Sequence, residues 1–262
     1  MKTAFLTLDW EFDYGGSDSI AARKLLNFVY KLRENNVPIT IFVEGRLMLH
    51  DYAKAIISSL ANDSGVSFGI HCWDHRNYTD NPDDILRTIE IYTSLFRSHP
   101  RMYRAGNYRI SNEIVDVLAS NSIKYDASLI YGRTDFSLES SFRSKQNLEP
   151  LQLSTITRLK IPASAVYLIS LYPIIRVATF FGIKPTINTH NDQLIINCHM
   201  TDLLPQPLSC ILSKSLLLKP KILLLLYGLI LAVLPKEYPA NAMVYMCEYL
   251  RIRHGATKYS KV

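Results

Sequence analysis

The chain is poor in cysteine and has no apolar segment long enough for a membrane anchor. Its four cysteines are scattered over 262 residues without a Cys-x-x-Cys pair, which argues against a zinc ribbon or a disulfide framework and favours a reducing compartment. The longest apolar run, residues 222–234, falls short of the roughly 20 residues that a transmembrane helix needs. Acidic residues follow the amino terminus too closely for an export signal. We therefore expect a cytoplasmic protein, at most peripherally attached to the inner face of a membrane.

The net charge of +6 is concentrated in one part of the chain. Residues 203–262 contain eight basic and two acidic side chains, so residues 1–202 are neutral as a whole. These basic residues are interleaved with leucine and isoleucine rather than with base-stacking aromatic residues, which argues against nucleic-acid binding. The segment from Leu216 to Leu234, with its flanking lysines, either docks on an anionic membrane or is a core helix with a basic rim. We predict membrane docking, and the core helix remains the alternative.

Short apolar runs alternate with helical periodicity along most of the chain. The composition, with 48% hydrophobic and 20% charged residues, is that of a globular protein. Strand–helix alternation predicts parallel strands in an α/β sheet or barrel, while residues 130–190 are too poorly patterned for assignment. The predicted helices are 19–35, 47–62, 82–98 and 111–121, and the predicted strands are 4–8, 38–43, 66–70, a short one at Tyr103, 123–125, 151–153 and 194–198.

Chemically reactive side chains follow several of the predicted strands. Because the carboxyl ends of parallel strands meet at one edge of the sheet, we expect these side chains to converge there. The candidates are Asp9 and Glu11 after the first strand, His71 and His75 after the third, Arg104 after the strand at Tyr103, and His199 after a late strand.

The two histidines of the third strand end suggest a metal site. His71 and His75 are four residues apart, so on a helical turn both imidazoles could reach one ion. A carboxylate from another strand would complete a set that suits catalytic zinc, which polarises a carbonyl and lowers the pKa of water. The alternative is two ordinary solvated or core histidines.

The two acids of the first strand end can divide the work of a hydrolase. In an extended chain Asp9 and Glu11 point to the same side, so one could bind metal while the other accepts a proton from water. Arg104 could hold that base ionised, and His199 could protonate a leaving amine. The alternatives are an acidic loop, a surface arginine and a structural histidine, whereas Cys72 fits a buried small side chain better than a nucleophile.

These residues lie in segments that resemble the motifs of the polysaccharide deacetylase family, carbohydrate esterase family 4, which includes the nodulation-factor deacetylases. The order and spacing of the motifs match over roughly residues 1–202. The segments are residues 7–11 (Thr-Leu-Asp-Trp-Glu), 71–75 (His-Cys-Trp-Asp-His), 103–108 (Tyr-Arg-Ala-Gly-Asn-Tyr), 125–128 (Tyr-Asp-Ala-Ser) and 197–200 (Asn-Cys-His-Met).

The resemblance implies a fold, a reaction and a set of roles. The fold would be a distorted (β/α)7 barrel in a single domain spanning 1–262, and the reaction would be metal-dependent removal of an acyl group from an amino sugar. Zinc is the expected ion, with cobalt, nickel and manganese as alternatives. The implied roles are Asp9 as general base, Glu11, His71 and His75 as metal ligands, Arg104 as the residue that orients Asp9, the backbone of Tyr108 as part of the oxyanion hole, and His199 as general acid.

The second motif also narrows the class of substrate. The stretch 70–75 is similar to enzymes that deformylate aminoarabinose on a polyprenyl-phosphate carrier. A cytoplasmic deacylase cannot reach finished cell-wall polymer, so its substrate would be an acylated, lipid-linked or nucleotide-linked precursor in surface polysaccharide or glycolipid synthesis. Two alternatives stay open: hydrolysis of a non-sugar cyclic amide or ureide on the same site, and a catalytically dead carbohydrate-binding protein.

Overall fold

The strands of the protein form one parallel sheet. The computed structural model describes residues 3–12, 19–74, 80–106, 110–131, 157–162, 193–203 and 258–259. The strands are β1 (Thr3–Trp10), β2 (Ile39–Val43), β3 (Val66–His71), β4 (Met102–Arg104), β5 (Tyr125–Tyr131), β6 (Thr157–Pro162), β7 (Gln193–His199) and β8 (Lys258–Tyr259), and the helices are α1 (Ser19–Glu34), α2 (Asp51–Leu60), α3 (Pro82–Phe96), α4 (Asn112–Ser120) and α5 (Met200–Leu203).

The strand order is that of an incompletely closed barrel. The order is β6-β5-β4-β3-β2-β1-β7, with every neighbouring pair parallel, and the short β8 adds to the start of β1. The two ends of this path, β6 and β7, also contact each other, so the sheet curves round toward closure. The predicted α/β fold, a distorted seven-stranded (β/α) barrel, is confirmed. That a single domain extends over all of 1–262 remains a prediction.

The helices pack apolar faces against the sheet. Leu25, Val29 and Leu32 lie at helical spacing on one face of α1, and all three are fully buried. α3 begins where the Asn81 side chain accepts a hydrogen bond from the Asp84 backbone N–H at 2.9 Å. These packed helices fix the strands, and with them the residues at the strand ends.

The predicted helix over residues 47–62 is wrong in its first turn. A 3₁₀ turn over Leu47–Leu49 is separated from α2 by His50, whose backbone is extended at ψ 135°. The His50 ring stacks on the Phe12 ring, with 5.0 Å between centroids, and this tertiary contact outweighs the local helical preference.

Other differences concern the later strands and the carboxyl-terminal segment. The predicted strand at 123–125 begins only at Tyr125, because the Ile123 backbone N–H donates to the Leu118 carbonyl and closes α4. β6 covers residues for which no strand was predicted. The predicted strand 151–153 and the docking segment 216–234 lie outside the described residues. Among the residues that the structure describes, no helix is both long and apolar enough to cross a membrane.

Candidate metal centre

Five of the predicted site residues meet at the carboxyl edge of the sheet. Asp9 pairs in register with His199 across β1 and β7, and His71 pairs with Arg104 across β3 and β4. Glu11 follows β1 directly. The parallel register therefore brings together residues that are up to 190 positions apart, as expected from the strand-end argument.

Arg104 lies at the centre of a buried hydrogen-bond network. Its Nη1 donates to Asp9 Oδ1 at 2.5 Å, its Nη2 to Thr7 Oγ1 at 3.0 Å, and its Nε to the Ala127 carbonyl at 3.1 Å. The guanidinium also lies 4.2 Å from the centre of the Phe42 ring. These contacts use the fork geometry that lysine lacks, so Arg104 is fixed in one orientation.

Asn197 completes this network from β7. Its Oδ1 accepts from Arg104 Nη1 at 2.6 Å and from Thr7 Oγ1 at 2.8 Å, while its Nδ2 donates to Asp9 Oδ2 at 2.7 Å. Both carboxylate oxygens of Asp9 therefore have a donor, and each donor is itself held by a further contact.

Asp9 is ionised over the whole physiological pH range. Burial alone would raise its pKa, but the Arg104 guanidinium, followed by the imidazoles of His71 and His199, lowers the pKa of Asp9 to about 2. A buried carboxylate that stays charged in this way can orient a cation or a water molecule.

His71 presents one ring nitrogen to the acids. Its Nδ1 lies 2.7 Å from the Arg104 carbonyl oxygen, which can only accept, so Nδ1 carries the proton. Its Nε2 then faces Glu11 Oε1 at 3.3 Å. Burial lowers the pKa of His71, but the hydrogen bond to Glu11 and the charges of Asp9 and Glu11 outweigh it, so the pKa is raised overall. This position therefore favours a positive charge.

Asp9, Glu11 and His71 form a group that fits a divalent ion. All three are buried, and each offers a ligand atom within 4.8 Å of the other two. An imidazole anchored through Nδ1 to a carbonyl, with Nε2 directed at carboxylates, is the arrangement that zinc-binding histidines use. The chemistry of the donor set thus agrees with the expected metal.

The structure corrects one argument for this site. His71 is the last residue of β3, and residues 72–74 are not helical, so the prediction that His71 lies on a helical turn is wrong. The strand register brings His71 to Glu11 instead. His75 and Tyr108 lie outside the described residues, and their roles remain predictions.

His199 is the most exposed of the five residues. Its Nε2 lies 3.4 Å from Asp9 Oδ2, and its side chain is 28% exposed, whereas that of Asp9 is 2% exposed. The sequence suggested no partner for His199, and the structure provides Asp9. An accessible imidazole beside a buried carboxylate can exchange a proton with a bound molecule.

The segment after β4 is held by β5. The Ala105 backbone N–H donates to Ser128 Oγ at 2.8 Å, and the Ser128 N–H donates to Asp126 Oδ1 at 2.9 Å. These contacts give the Tyr-Asp-Ala-Ser segment a supporting place beside Arg104. Cys72 is buried, and burial raises the pKa of its thiol, in agreement with a packing role.

Sequence reasoning missed three buried residues of the site. Thr7 and Asn197 each precede a predicted site residue by two positions on a strand, so the two-residue period could have found them. Glu44 directly follows β2, and no site residue was predicted at the end of this strand. Burial raises the pKa of Glu44 to about 7, in spite of the backbone N–H that its carboxylate accepts.

Comparisons with known proteins agree with this architecture. The family model described as polysaccharide deacetylase matches residues 4–125, and 51 solved chains match in structure, whereas no curated protein matches. A protein from Bordetella bronchiseptica, assigned as a polysaccharide deacetylase involved in O-antigen biosynthesis, has a TM-score of 0.50 at 12% identity, with 92% of this chain and 89% of that chain covered.

Two other structures are similar at a lower score. A protein from Mycobacterium smegmatis, assigned as a polysaccharide deacetylase, has a TM-score of 0.48 at 16% identity, with 100% of this chain and 94% of that chain covered. A family 4 pseudoenzyme from Bacillus anthracis has a TM-score of 0.48 at 12% identity, with 98% of this chain covered. The chain spans 63% of the length of that pseudoenzyme.

The fold is an incompletely closed α/β barrel with a buried group of acids and a histidine at the carboxyl edge of its strands. Residues 4–125 carry the polysaccharide deacetylase domain that the family model describes, and they include Asp9, Glu11, His71 and Arg104. The resemblance to the polysaccharide deacetylase family is confirmed over this part of the chain.

Proposed function

We propose that the protein is a metal-dependent hydrolase that removes an N-acyl group, acetyl in the first instance, from a sugar of a surface-glycan precursor. The buried group of Asp9, Glu11 and His71 carries this proposal, because it offers carboxylate and imidazole ligands at the edge of a deacetylase-type barrel. Glu11 and His71 would hold the ion together with His75.

The ion would supply Lewis acidity that polarises the acyl carbonyl and makes water more acidic. Zinc suits this donor set best, and cobalt, nickel and manganese are the alternatives. The protein's own contribution begins with the orientation of His71, whose Nδ1–H is held by the Arg104 carbonyl at 2.7 Å.

Asp9 would act as the general base. Arg104 and Asn197 hold its two carboxylate oxygens in fixed positions, so Asp9 can take a proton from the attacking water without first changing its rotamer. His199 would act as the general acid that protonates the leaving amine, since its side chain reaches both Asp9 and solvent. The backbone of Tyr108 would help to stabilise the oxyanion, as the resemblance of its motif implies.

The substrate is proposed to be an acylated precursor of surface polysaccharide, lipid-linked and handled in the cytoplasm. The assignment of the Bordetella bronchiseptica structure to O-antigen biosynthesis motivates this choice. The basic, leucine-rich segment 216–234 would bring the protein to the membrane where such precursors lie. Flotation with phosphatidylglycerol vesicles should carry the protein upward, and recovery in the soluble fraction would contradict membrane docking.

Metal content is the first test of this function. The full chain, purified without a polyhistidine tag, should contain about one divalent ion, and His71→Ala should contain much less. Arg33→Ala, at the opposite edge of the sheet, is a matched control that should keep the ion. If the wild type stays metal-free after reconstitution with zinc, cobalt and nickel, the proposal is wrong.

Activity on N-acetylated and N-formylated sugars is the second test. Asp9→Asn should lower kcat by roughly 100-fold or more while the protein remains folded, because proton transfer by a positioned base contributes on that scale. A folded Asp9→Asn variant with full activity would exclude the proposed mechanism. Turnover of cyclic amides alone would indicate the ureide alternative, and glycan binding without hydrolysis would indicate the carbohydrate-binding alternative.

A further inference from the structure

Glu44 contacts the chain on both sides of Glu11. The Glu44 backbone N–H donates to the Trp10 carbonyl at 3.1 Å, and the Phe12 backbone N–H donates to Glu44 Oε2 at 2.6 Å. Trp10 and Phe12 are the two neighbours of Glu11 in the chain. One residue of β2's end thus brackets the peptide units of a proposed metal ligand.

The bracket extends the sheet beyond its last regular pair. The register between β1 and β2 ends where Trp10 pairs with Val43. Beyond that point a side-chain oxygen of Glu44 takes the place of the next strand carbonyl as acceptor for Phe12.

The Glu44 carboxyl group also lies beside a cation. Its Oε1 is 3.5 Å from Arg46 Nε, an ion-pair distance without a hydrogen bond, and Arg46 Nη1 donates to Asp74 Oδ2 at 3.1 Å. The Arg46 guanidinium also lies 4.3 Å from the centre of the Phe12 ring. Arg46 thus joins the ends of β1, β2 and β3.

The turn that carries Glu44 is fixed to the chain after β3. The backbone N–H groups of Gly45 and Arg46 donate to the carbonyls of Cys72 and Trp73 at 2.9 and 3.0 Å. A Cβ at Gly45 would lie 2.6 Å from Thr88 Oγ1, so this turn passes close to α3 and has no room for a side chain at Gly45. A fixed turn gives Glu44 the rigidity that a positioning role requires.

We propose that Glu44 is a positioning residue whose side chain, through Phe12, holds Glu11 against His71. This role rests on the proposed function, because it gives Glu11 a reason to be held in place. Glu44 contacts neither substrate nor ion and acts through the backbone of Glu11. The property that matters is the reach of its oxygen to the Phe12 N–H.

A purely electrostatic role makes the opposite prediction for two conservative variants. Glu44→Gln keeps the reach and an acceptor oxygen but removes the charge. Glu44→Asp keeps the charge but shortens the side chain by one methylene, so its oxygen falls short of Phe12. Positioning predicts that Gln replaces Glu well and Asp does not, whereas an effect of charge predicts the reverse.

Two readouts on the full-length protein test the proposal. In metal-free protein, amide hydrogen exchange at Phe12 should be at least about tenfold faster in Glu44→Asp and within about threefold of wild type in Glu44→Gln. The zinc dissociation constant should rise by about 10–100-fold in Glu44→Asp and by less than about threefold in Glu44→Gln, as for other residues that orient metal ligands.

Asp63→Ala is the matched control. Asp63 Oδ1 accepts from the Gly65 backbone N–H at 2.7 Å and pairs with Arg33 Nε at 2.9 Å, but it precedes β3 at the opposite edge of the sheet. Its loss should lower thermal stability without changing Phe12 exchange or zinc affinity. A general effect of destabilisation is thereby separated from positioning.

Each outcome decides the proposal. Wild-type exchange and zinc affinity in Glu44→Asp would overturn it, as would a loss in Glu44→Gln equal to that in Glu44→Asp. If Glu44→Asp does not fold, rapid Phe12 exchange in a folded Glu44→Gln overturns the proposal and wild-type exchange supports it. If the wild type binds no zinc, the proposed function fails, and the exchange of Phe12 alone decides whether Glu44 holds this segment.

Discussion

The two acids of the site are held in contrasting ways. Asp9 accepts hydrogen bonds on both carboxylate oxygens, from Arg104 at 2.5 Å and from Asn197 at 2.7 Å. Glu11, two residues along the chain, has its Oε1 at a looser 3.3 Å from His71 Nε2. Glu44 in addition forms hydrogen bonds with the neighbours of Glu11, to the Trp10 carbonyl at 3.1 Å and from the Phe12 N–H at 2.6 Å.

This contrast indicates two kinds of preorganisation in one site. The Asp9 side of the site consists of Asp9, Arg104 and Asn197. The negative charge of Asp9 is balanced there by the permanent cation Arg104, so this side needs no further charge. The Glu11 side of the site consists of Glu11 and His71. The raised pKa of His71 indicates that a positive charge is favoured there. A metal ion held by Glu11 and His71 would therefore supply the positive charge that the Glu11 side favours, close to the Asp9 carboxylate.

Replacement of Arg104 should cause the largest loss of stability, because Arg104 is the cation that pairs with Asp9. Arg104→Met leaves the buried Asp9 charge without its partner, so the free energy of unfolding should fall by about 3–5 kcal/mol. Arg33→Met removes a partly exposed ion pair and should cost less than about 1 kcal/mol. Urea denaturation measures both, and equal effects of the two substitutions would contradict the contrast.

Glu44, which contacts the chain on both sides of Glu11, should make the stability of the protein depend on pH. The pKa of Glu44 rises from 4.5 to about 7 on folding, so the folded state keeps this proton after the unfolded state has lost it. Stability of the metal-free protein should therefore fall as pH rises from 4.5 to 7, with a contribution from Glu44 of about 3 kcal/mol.

Glu44→Gln is the reference for that measurement. Its unfolding free energy, measured in EDTA across the same pH range, should lack the Glu44 contribution, so the difference from wild type should change with pH. A difference that stays constant between pH 4.5 and 7 would show that Glu44 does not titrate in this window.

Zinc should stabilise the folded protein, and this stabilisation should depend on His71. At a free concentration of 100 times the dissociation constant, zinc should stabilise the wild type by about 2.7 kcal/mol. His71→Ala should lose most of this gain, because it removes the imidazole of the Glu11 side. A zinc-dependent shift in thermal unfolding that survives in His71→Ala would place the ion elsewhere.

Two threonines paired across β1 and β2 give the smallest expected effect and the closest control. Thr7 and Thr40 are register partners, and both are buried. Thr7 Oγ1 bonds Arg104 and Asn197, whereas Thr40 Oγ1 has no hydrogen-bond partner among the described residues.

Thr7→Val should therefore cost about 1–3 kcal/mol, because the buried donor Arg104 Nη2 loses this acceptor and Asn197 Oδ1 loses one of its donors. Thr40→Val, the same change on the neighbouring strand, should be neutral or slightly stabilising. Differential scanning calorimetry measures both. If Thr7→Val were as harmless as Thr40→Val, the Asp9 network would contribute little to stability.

Much of the fold follows from short-range signals in the sequence. The apolar spacing of α1 and the cap before α3 correspond to contacts in the structure, because they depend on neighbours along the chain. The break at His50 and the late start of β5 could not be predicted, because they depend on Phe12 stacking and on the closing bond between Ile123 and Leu118.

The site was predictable in its members but less so in its connections. The strand-end rule predicts that Asp9 and His199 lie at the same edge of the sheet, and the register of β1 and β7 pairs them. It gave no place to Glu44, because a lone acid after a strand carries no motif. It also gave the wrong local conformation after His71, since residue spacing alone does not distinguish a turn from an extended chain.

The pairing of β1 with β7 has a consequence for how the protein is made. The hydrogen bonds of the Thr7 hydroxyl and the Arg104 guanidinium to Asn197 can form only after Asn197, 190 residues beyond Thr7, has been synthesised. Such non-local parallel pairing forms slowly, since the intervening chain must first be synthesised and ordered. While β7 is still inside the ribosome, the nascent chain therefore contains Asp9 but has no assembled site. Catalytic competence would then appear late in biosynthesis, as a property of the finished barrel.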